Sequence, residues 1–275
     1  PLRHSCELIE LRAQEKNGFM VSDAEFSEFI KQYRPDAYIF SNPCNPTGQS
    51  VKGGSLANYV DICRKENCLL GCDEFYATFA YEEDGSPSKE PVSVLPFIED
   101  VNKDPVVVFD GLTKGFRYPG WRAAWMVGPK YLIEMVNRAA SAVDGGPSTI
   151  VQRAAIEELS SGHAEAEFAV KRRLMIDGLQ SIGIRVPDPQ PLGTFYVWAS
   201  LENLPGKLSD ADYFFHECLK KKVITVPGHF FDVRPYRNRP TKEPYSHWVR
   251  FSYGPNRRTV ATALSRMAEV IREHR

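Results

Sequence analysis

The chain has 275 residues, enough to bury a full hydrophobic core in one large domain or two smaller ones. Its 43% hydrophobic, 25% charged and 12% aromatic residues are those of an ordinary globular protein, and a formal net charge of −1 gives no electrostatic case for nucleic acid or an acidic membrane as main partner. No apolar stretch reaches the length of a membrane span, and the first residues have neither the charged start nor the apolar core of a signal peptide.

In chain order, strand and helix signals alternate through the first half. The spacing predicts a helix over residues 22–33, opened by the capping pair Ser22 and Glu25, with Phe26, Phe29, Ile30 and Tyr33 on one face. DAYIF (36–40) reads as a short strand that runs into the turn-rich SNPCNPTG. A second amphipathic helix follows over 55–67, with Leu56, Tyr59, Val60 and Cys63 on its apolar side. Strands are then expected at CLLGC (68–72), PVVVF (105–109) and AAWMV (123–127), with a loop over 82–91. Alternation of this kind argues for an α/β sheet, mostly parallel, and strands that are apolar throughout fit burial on both faces.

After about residue 130 the pattern changes. Helical signals dominate 130–183. Short strands follow at 193–200, 223–226 and 247–253, then a proline-bearing polar loop over 232–246 and a terminal helix from about residue 257. The expected organisation is a large α/β domain over 1–160 and a smaller α+β domain over 161–275, joined by a long helix.

Six cysteines stand at 6, 44, 63, 68, 72 and 218 and form no CxxC pair, so neither structural zinc nor thioredoxin-like chemistry is expected, nor any other metal site. Reduced, buried thiols and a cytoplasmic setting are the default reading.

In open α/β sheets ligands sit beyond the carboxyl ends of the strands. The residues there are Asn42 to Gly48 after the first strand, Asp73 and Tyr76 after the second, and Asp110, Thr113, Lys114 and Arg122 after the third. Singly each has a bland reading: Asn-Pro makes turns, an aspartate after a strand caps a helix, and an arginine beside a turn is solvated. Together they place an amide, a carboxylate, a phenol, an amine and a guanidinium on one rim. That set suits a phosphorylated aromatic aldehyde. Lys114 would form a Schiff base with it, Asp73 would keep a ring nitrogen protonated, and Arg122 would grip the phosphate.

These residues resemble those of the class I/II aminotransferases, fold-type-I enzymes that use pyridoxal 5′-phosphate (PLP), and the resemblance runs through essentially the whole chain. NPCNPTG (42–48) is similar to the family's Asn-Pro-x-Asn-Pro-Thr-Gly turn, CDEFY (72–76) to its aspartate strand, and TKGFRYPGWR (113–122) to its lysine segment. PLGTFYVW (191–198), VPGHFF (226–231) and VRFSYGP (249–255) are similar to motifs of its small domain. The resemblance implies a PLP-dependent transferase of fold type I. Lys114 would be the Schiff-base lysine and the acid/base that moves the proton. Asp73 would sit on the pyridine nitrogen, Tyr76 and Asn45 on the ring oxygen, and Thr113 and Arg122 on the phosphate. Arg250, with Asn45 nearby, would take the α-carboxylate of an amino acid or 2-oxo acid. Homodimers are expected.

Three departures qualify the match. Gly111 stands where the family often has a serine. The N-terminal part that carries the phosphate loop, the ring-stacking aromatic and a dimer-embracing arm is expected to lie outside this sequence. No arginine stands in the loop before the helix that begins near residues 141–152 to favour a dicarboxylate. Elimination or cyclisation on the same fold, as in relatives of aminocyclopropane-carboxylate synthase, shares all these motifs and stays open, as does a PLP fold that no longer catalyses.

Overall fold

The computed structural model describes residues 6–143, 145–159, 165–187, 190–233 and 245–275. Helix α1 (Asp23–Tyr33) begins at the expected capping box: Ser22 Oγ accepts from the Glu25 N–H at 3.2 Å, while Glu25 accepts from the Ser22 N–H at 2.9 Å. The helix stops where Arg34 turns left-handed, and strand β1 (Ala37–Ser41) follows. Helix α2 (Gly53–Glu66) ends the same way at Asn67 and feeds β2 (Leu69–Asp73). Strand β3 (Val106–Gly111) and strand β4 (Ala124–Val127) complete a sheet of order β1-β2-β3-β4.

The first two pairings are parallel and the last antiparallel, so the sheet is mostly parallel as expected. The 12 residues between β3 and β4 contain a 3-10 turn, Pro119–Trp121, and no crossover helix, and the chain returns antiparallel beside the strand it left. One face of the sheet packs on α1 and α2 through Leu70, Cys72, Val106 and Val108 against Phe26, Ile30, Tyr59 and Val60. Phe26 and Tyr59 stack with ring centroids 3.8 Å apart. On β1 the opposite face leaves Ile39 69% exposed.

Three helices follow where one long connector was expected: α3 (Lys130–Val143), α4 (Thr149–Leu159) and α5 (Glu165–Ser181). The break before α4 falls on Gly145, at φ 68°, Gly146 and Pro147, a left-handed residue followed by one that cannot continue a helix. No residue of α3 or α4 is buried, and Tyr131, Met135, Val143, Ile150 and Ile156 are exposed.

The last part builds a second sheet from β5 (Tyr196–Ser200), β6 (Val226–Pro227) and β7 (Trp248–Ser252), in order β5-β7-β6 and antiparallel throughout. The strand expected over 223–226 shrinks to its final residue. Helix α6 (Ala211–Lys220) closes through a left-handed Lys222 and a Val223 N–H bonded back to the Cys218 carbonyl, which uses up the residues before Val226. With α5 and the terminal helix α7 (Arg257–Glu273), this sheet buries a second core around Val197, Phe214, Val249, Leu264 and Met267. Tyr76, Phe79 and Tyr81 join that core from the first part of the chain. Among the described residues no helix is long and apolar enough to cross a membrane.

Candidate active site

Three loops leave the carboxyl ends of β1, β2 and β3 side by side, because the parallel register aligns Ser41 with Asp73 and Asp73 with Phe109. The first is the Asn-Pro turn. Asn42 folds it by accepting from the Val51 N–H at 2.8 Å and donating to the Val51 carbonyl at 2.9 Å. Asn42 is therefore the structural asparagine of the motif. Asn45 accepts instead from an Arg250 guanidinium nitrogen at 2.7 Å, across 205 residues of sequence.

The turn is seated on residues 191–193 by two close approaches. A Cβ on Gly193 would lie 2.5 Å from the Pro43 Cβ, and one on Gly48 would lie 2.6 Å from the Pro191 Cβ. Gly48 also takes φ 72°, a left-handed value that suits glycine. Residues 192–194 are held in turn by the loop after β2: Tyr81 N–H donates to the Leu192 carbonyl and Thr194 N–H to the Phe79 carbonyl, each at 2.9 Å.

Asp73 ends β2. Burial raises its carboxyl above the ordinary value, while a hydrogen bond from the Phe75 N–H and the nearby Lys114 ammonium offset part of that effect. Tyr76, three residues on, is buried, and its hydroxyl lies 3.0 Å from that of Tyr196. Burial and that contact push the Tyr76 phenol up, with Arg250 pulling the other way. Lys114 occupies the half-buried turn after β3, its Nζ 5.8 Å from the centroid of the Tyr76 ring.

Arg250 lies on β7 with its guanidinium 4.1 Å above the Tyr196 ring and 4.9 Å from the Phe231 ring. Its Nε is buried and has no hydrogen-bond partner among the described residues.

The structure therefore brings Asn45, Asp73, Tyr76, Lys114 and Arg250 into one neighbourhood. Thr113 is half-buried beside Lys114. Arg122 lies apart from these contacts: it is exposed, left-handed at φ 53°, and donates to the Pro119 carbonyl at 3.0 Å.

The Gly111 departure has a packing cause. A Cβ there would stand 2.7 Å from the Ala123 carbonyl oxygen and 2.8 Å from the Ala124 Cα, so β4 leaves no room for a serine. The cluster of basic and polar residues over 234–244 lies outside the described residues.

Sequence reasoning missed three members. Tyr196 links Tyr76 to Arg250, and the only signal for it was its place in the strand motif of residues 191–198. Glu74 is buried beside Asp73, and burial pushes it up to about 7 although Ser93 Oγ and Val94 N–H donate to it at 2.6 and 2.7 Å. Asp110, seen in the sequence but given no role, is pushed up to about 6, mainly by burial and partly by Asp73. The three carboxyls lie close enough to act on one another: Asp110 and Asp73 both raise Glu74, and Asp73 raises Asp110.

Comparison with known proteins places this arrangement. The family model for aminotransferase class I and II matches residues 4–267. The chain belongs to that family. An aspartate aminotransferase of Pyrococcus abyssi is 24% identical over 272 residues, covering 96% of this chain and 64% of that protein. An LL-diaminopimelate aminotransferase of Nitratidesulfovibrio vulgaris is 28% identical over 238 residues, covering 84% of this chain and 56% of that protein. Among solved structures, an aminotransferase from Mycobacterium tuberculosis superposes with a TM-score of 0.78 at 24% identity, over 98% of this chain and 65% of that one. The fold is that of these aminotransferases, the fold type I expected from the motifs. The chain spans less than two thirds of the length of each of these three proteins.

Proposed function

We propose that the chain carries the lysine site of a PLP-dependent aminotransferase that moves an amino group between an α-amino acid and a 2-oxo acid. The observation that carries this reading is the contact series Asn45–Arg250–Tyr196–Tyr76–Lys114, which links five distant segments of sequence. The donor set fits PLP: a half-buried acid for a pyridine nitrogen, a phenol and an amide for a ring oxygen, and an amine for an aldehyde. When bound, PLP supplies an aldehyde that condenses with amines and a pyridinium ring that withdraws electrons.

Each residue then has a task. Lys114 Nζ would hold the cofactor aldehyde and is the amine placed to carry a proton at the substrate Cα. Asp73 bears on the ring nitrogen, where a cationic N–H would offset the cost of its burial. Tyr76 and Asn45 orient the ring oxygen. Arg250 would take the α-carboxylate with its guanidinium, whose buried Nε has no hydrogen-bond partner among the described residues. Thr113 and Arg122 are assigned to the phosphate. Arg250 calls for no more than an α-carboxylate, and the relatives' names span aspartate and LL-diaminopimelate, so the side-chain preference is left general.

A division into a large domain over 1–160 and a small one over 161–275 belongs to the same proposal, supported by two separate sheets and two main core clusters. So does a homodimer, for which the exposed apolar residues of α3 and α4 offer surface. A cytoplasmic setting agrees with six free cysteines.

The test is an absorption titration of the chain with PLP, followed by borohydride reduction and peptide mapping. A near-visible band with the label on Lys114, absent in Lys114→Ala, is the expected result. Label spread over surface lysines would overturn the assignment. With a labelled site in hand, a 2-oxo acid formed from the amino acid supports transfer. Ammonia or a cyclic product in its place would assign elimination or cyclisation.

A further inference from the structure

Tyr196 makes two contacts that the roles above leave unused. Its hydroxyl meets the Tyr76 hydroxyl at 3.0 Å, and its ring face carries the Arg250 guanidinium at 4.1 Å. The side chain is rigidly mounted. Tyr196 opens β5, pairs with Ser252 of β7, donates its N–H to Thr194 Oγ1 at 3.1 Å, and packs its ring on Phe195 at 4.6 Å. Tyr76, by contrast, sits on a loop after β2, and Arg250 has a long side chain with several rotamers to lose. Arg250 is clasped from a second side by Phe231, which sits in a 3-10 turn rather than in a strand.

We infer that Tyr196 is a positioning residue that fixes two groups of the site at once, the Tyr76 phenol oxygen by a hydrogen bond and the Arg250 guanidinium plane by stacking. This rests on the roles proposed above for Tyr76 and Arg250. One strand residue then sets the spacing between the phenol meant for the cofactor ring and the cation meant for the substrate carboxylate. The two contacts use different parts of the side chain, so they can be separated: phenylalanine keeps the π face and loses the hydroxyl, whereas leucine loses both.

The experiment reads both groups in the cofactor-free chain. Tyr76 is replaced by 3-fluorotyrosine and the position of its ¹⁹F resonance, which reports the hydrogen bonding of the adjacent hydroxyl, is recorded at neutral pH. Carboxylate affinity is measured by titration with propanoate, with Arg250→Ala as the reference for binding at that arginine. In Tyr196→Phe the Tyr76 resonance is expected to shift by more than its linewidth, while propanoate affinity stays within about twofold of the parent. In Tyr196→Leu the resonance shifts likewise and propanoate affinity falls by about fivefold. Should the leucine variant fail to fold, Tyr196→Met removes the π face with a flexible side chain that fills the space.

An unmoved Tyr76 resonance in the phenylalanine variant, or a leucine or methionine variant that binds propanoate as the parent does, overturns the inference. So does a parent chain whose propanoate binding does not depend on Arg250. Neither readout requires PLP, so a chain that takes up no cofactor would sink the proposed function and leave these measurements to decide the role of Tyr196.

Discussion

The two sheets of this protein are covered to different degrees. In the three-stranded antiparallel sheet every residue of β5 is buried, with Val197 and Ala199 facing one core and Trp198 packed with Phe19 and Trp248 on the other side. In the four-stranded sheet, β1 alternates exposed and half-buried residues, and both ends of β4 are exposed. Strands of mostly parallel sheets are expected to be covered on both faces, and here one face is covered by α1 and α2 while Ile39 looks outward. The difference teaches where this chain is self-sufficient. The C-terminal core is closed, with Tyr76, Phe79 and Tyr81 of the first part among its members, and the site forms where it meets the strand ends of the half-covered sheet.

The sharpest way to break this comparison is to damage each sheet and compare losses. Phe214→Ala, in the closed core, is expected to cost about 3–5 kcal/mol of unfolding free energy, measured by urea denaturation followed by circular dichroism. A loss near zero would mean that this core is not the cooperative one.

Next in size is a pH effect at the junction. Glu74 is held at about 7 in the folded chain, against an ordinary value of 4.5. Its folded pKa is raised, so the stability it contributes is present below about pH 4.5 and is lost as pH rises through 7. By linkage the change is on the order of 3 kcal/mol. Glu74→Gln mimics the protonated side chain and is expected to flatten that fall. Equal slopes for parent and variant across pH 5–8 would remove Glu74 from the account.

Gly111→Ser should cost about 1–3 kcal/mol, because the new Cβ meets β4 backbone atoms that cannot swing aside. A neutral or stabilising result would show that β4 yields, and would weaken the packing reason for the missing serine. The smallest effect is expected at Ile39→Ser on the open face of β1, within about 0.5 kcal/mol, read from the same denaturation curves. A large loss there would show that the face is covered in solution and would dissolve the contrast.

Much of the fold was legible because it depends on short-range pattern. The Ser22–Glu25 capping box, the Phe26–Phe29–Ile30 face and the strands before Ser41, Asp73 and Gly111 are written in neighbouring residues, and the structure keeps them to within a residue or two. The misses were long-range or masked by composition. The run over 223–226 looked like a strand because Val223 and Val226 are β-formers, but Lys222 takes a left-handed turn to close α6. The loop expected near residues 141–152 is confirmed as the break between α3 and α4, at Gly145 to Pro147.

For the site, the sequence by itself determined which chemical groups were present and which strand ends would hold them: Asn45, Asp73, Tyr76 and Lys114 follow apolar runs whose ends must align in a parallel sheet. Only the tertiary structure decided which groups touch. That Asn45 meets Arg250, that Tyr196 stands between Arg250 and Tyr76, and that Gly111 has no room for a side chain all depend on contacts between residues far apart in sequence or on opposed backbone. Local spacing constrains only what a residue's near neighbours do. The burial that raises Asp73, Glu74 and Asp110, and the stacking that holds Arg250, arise from packing of distant segments.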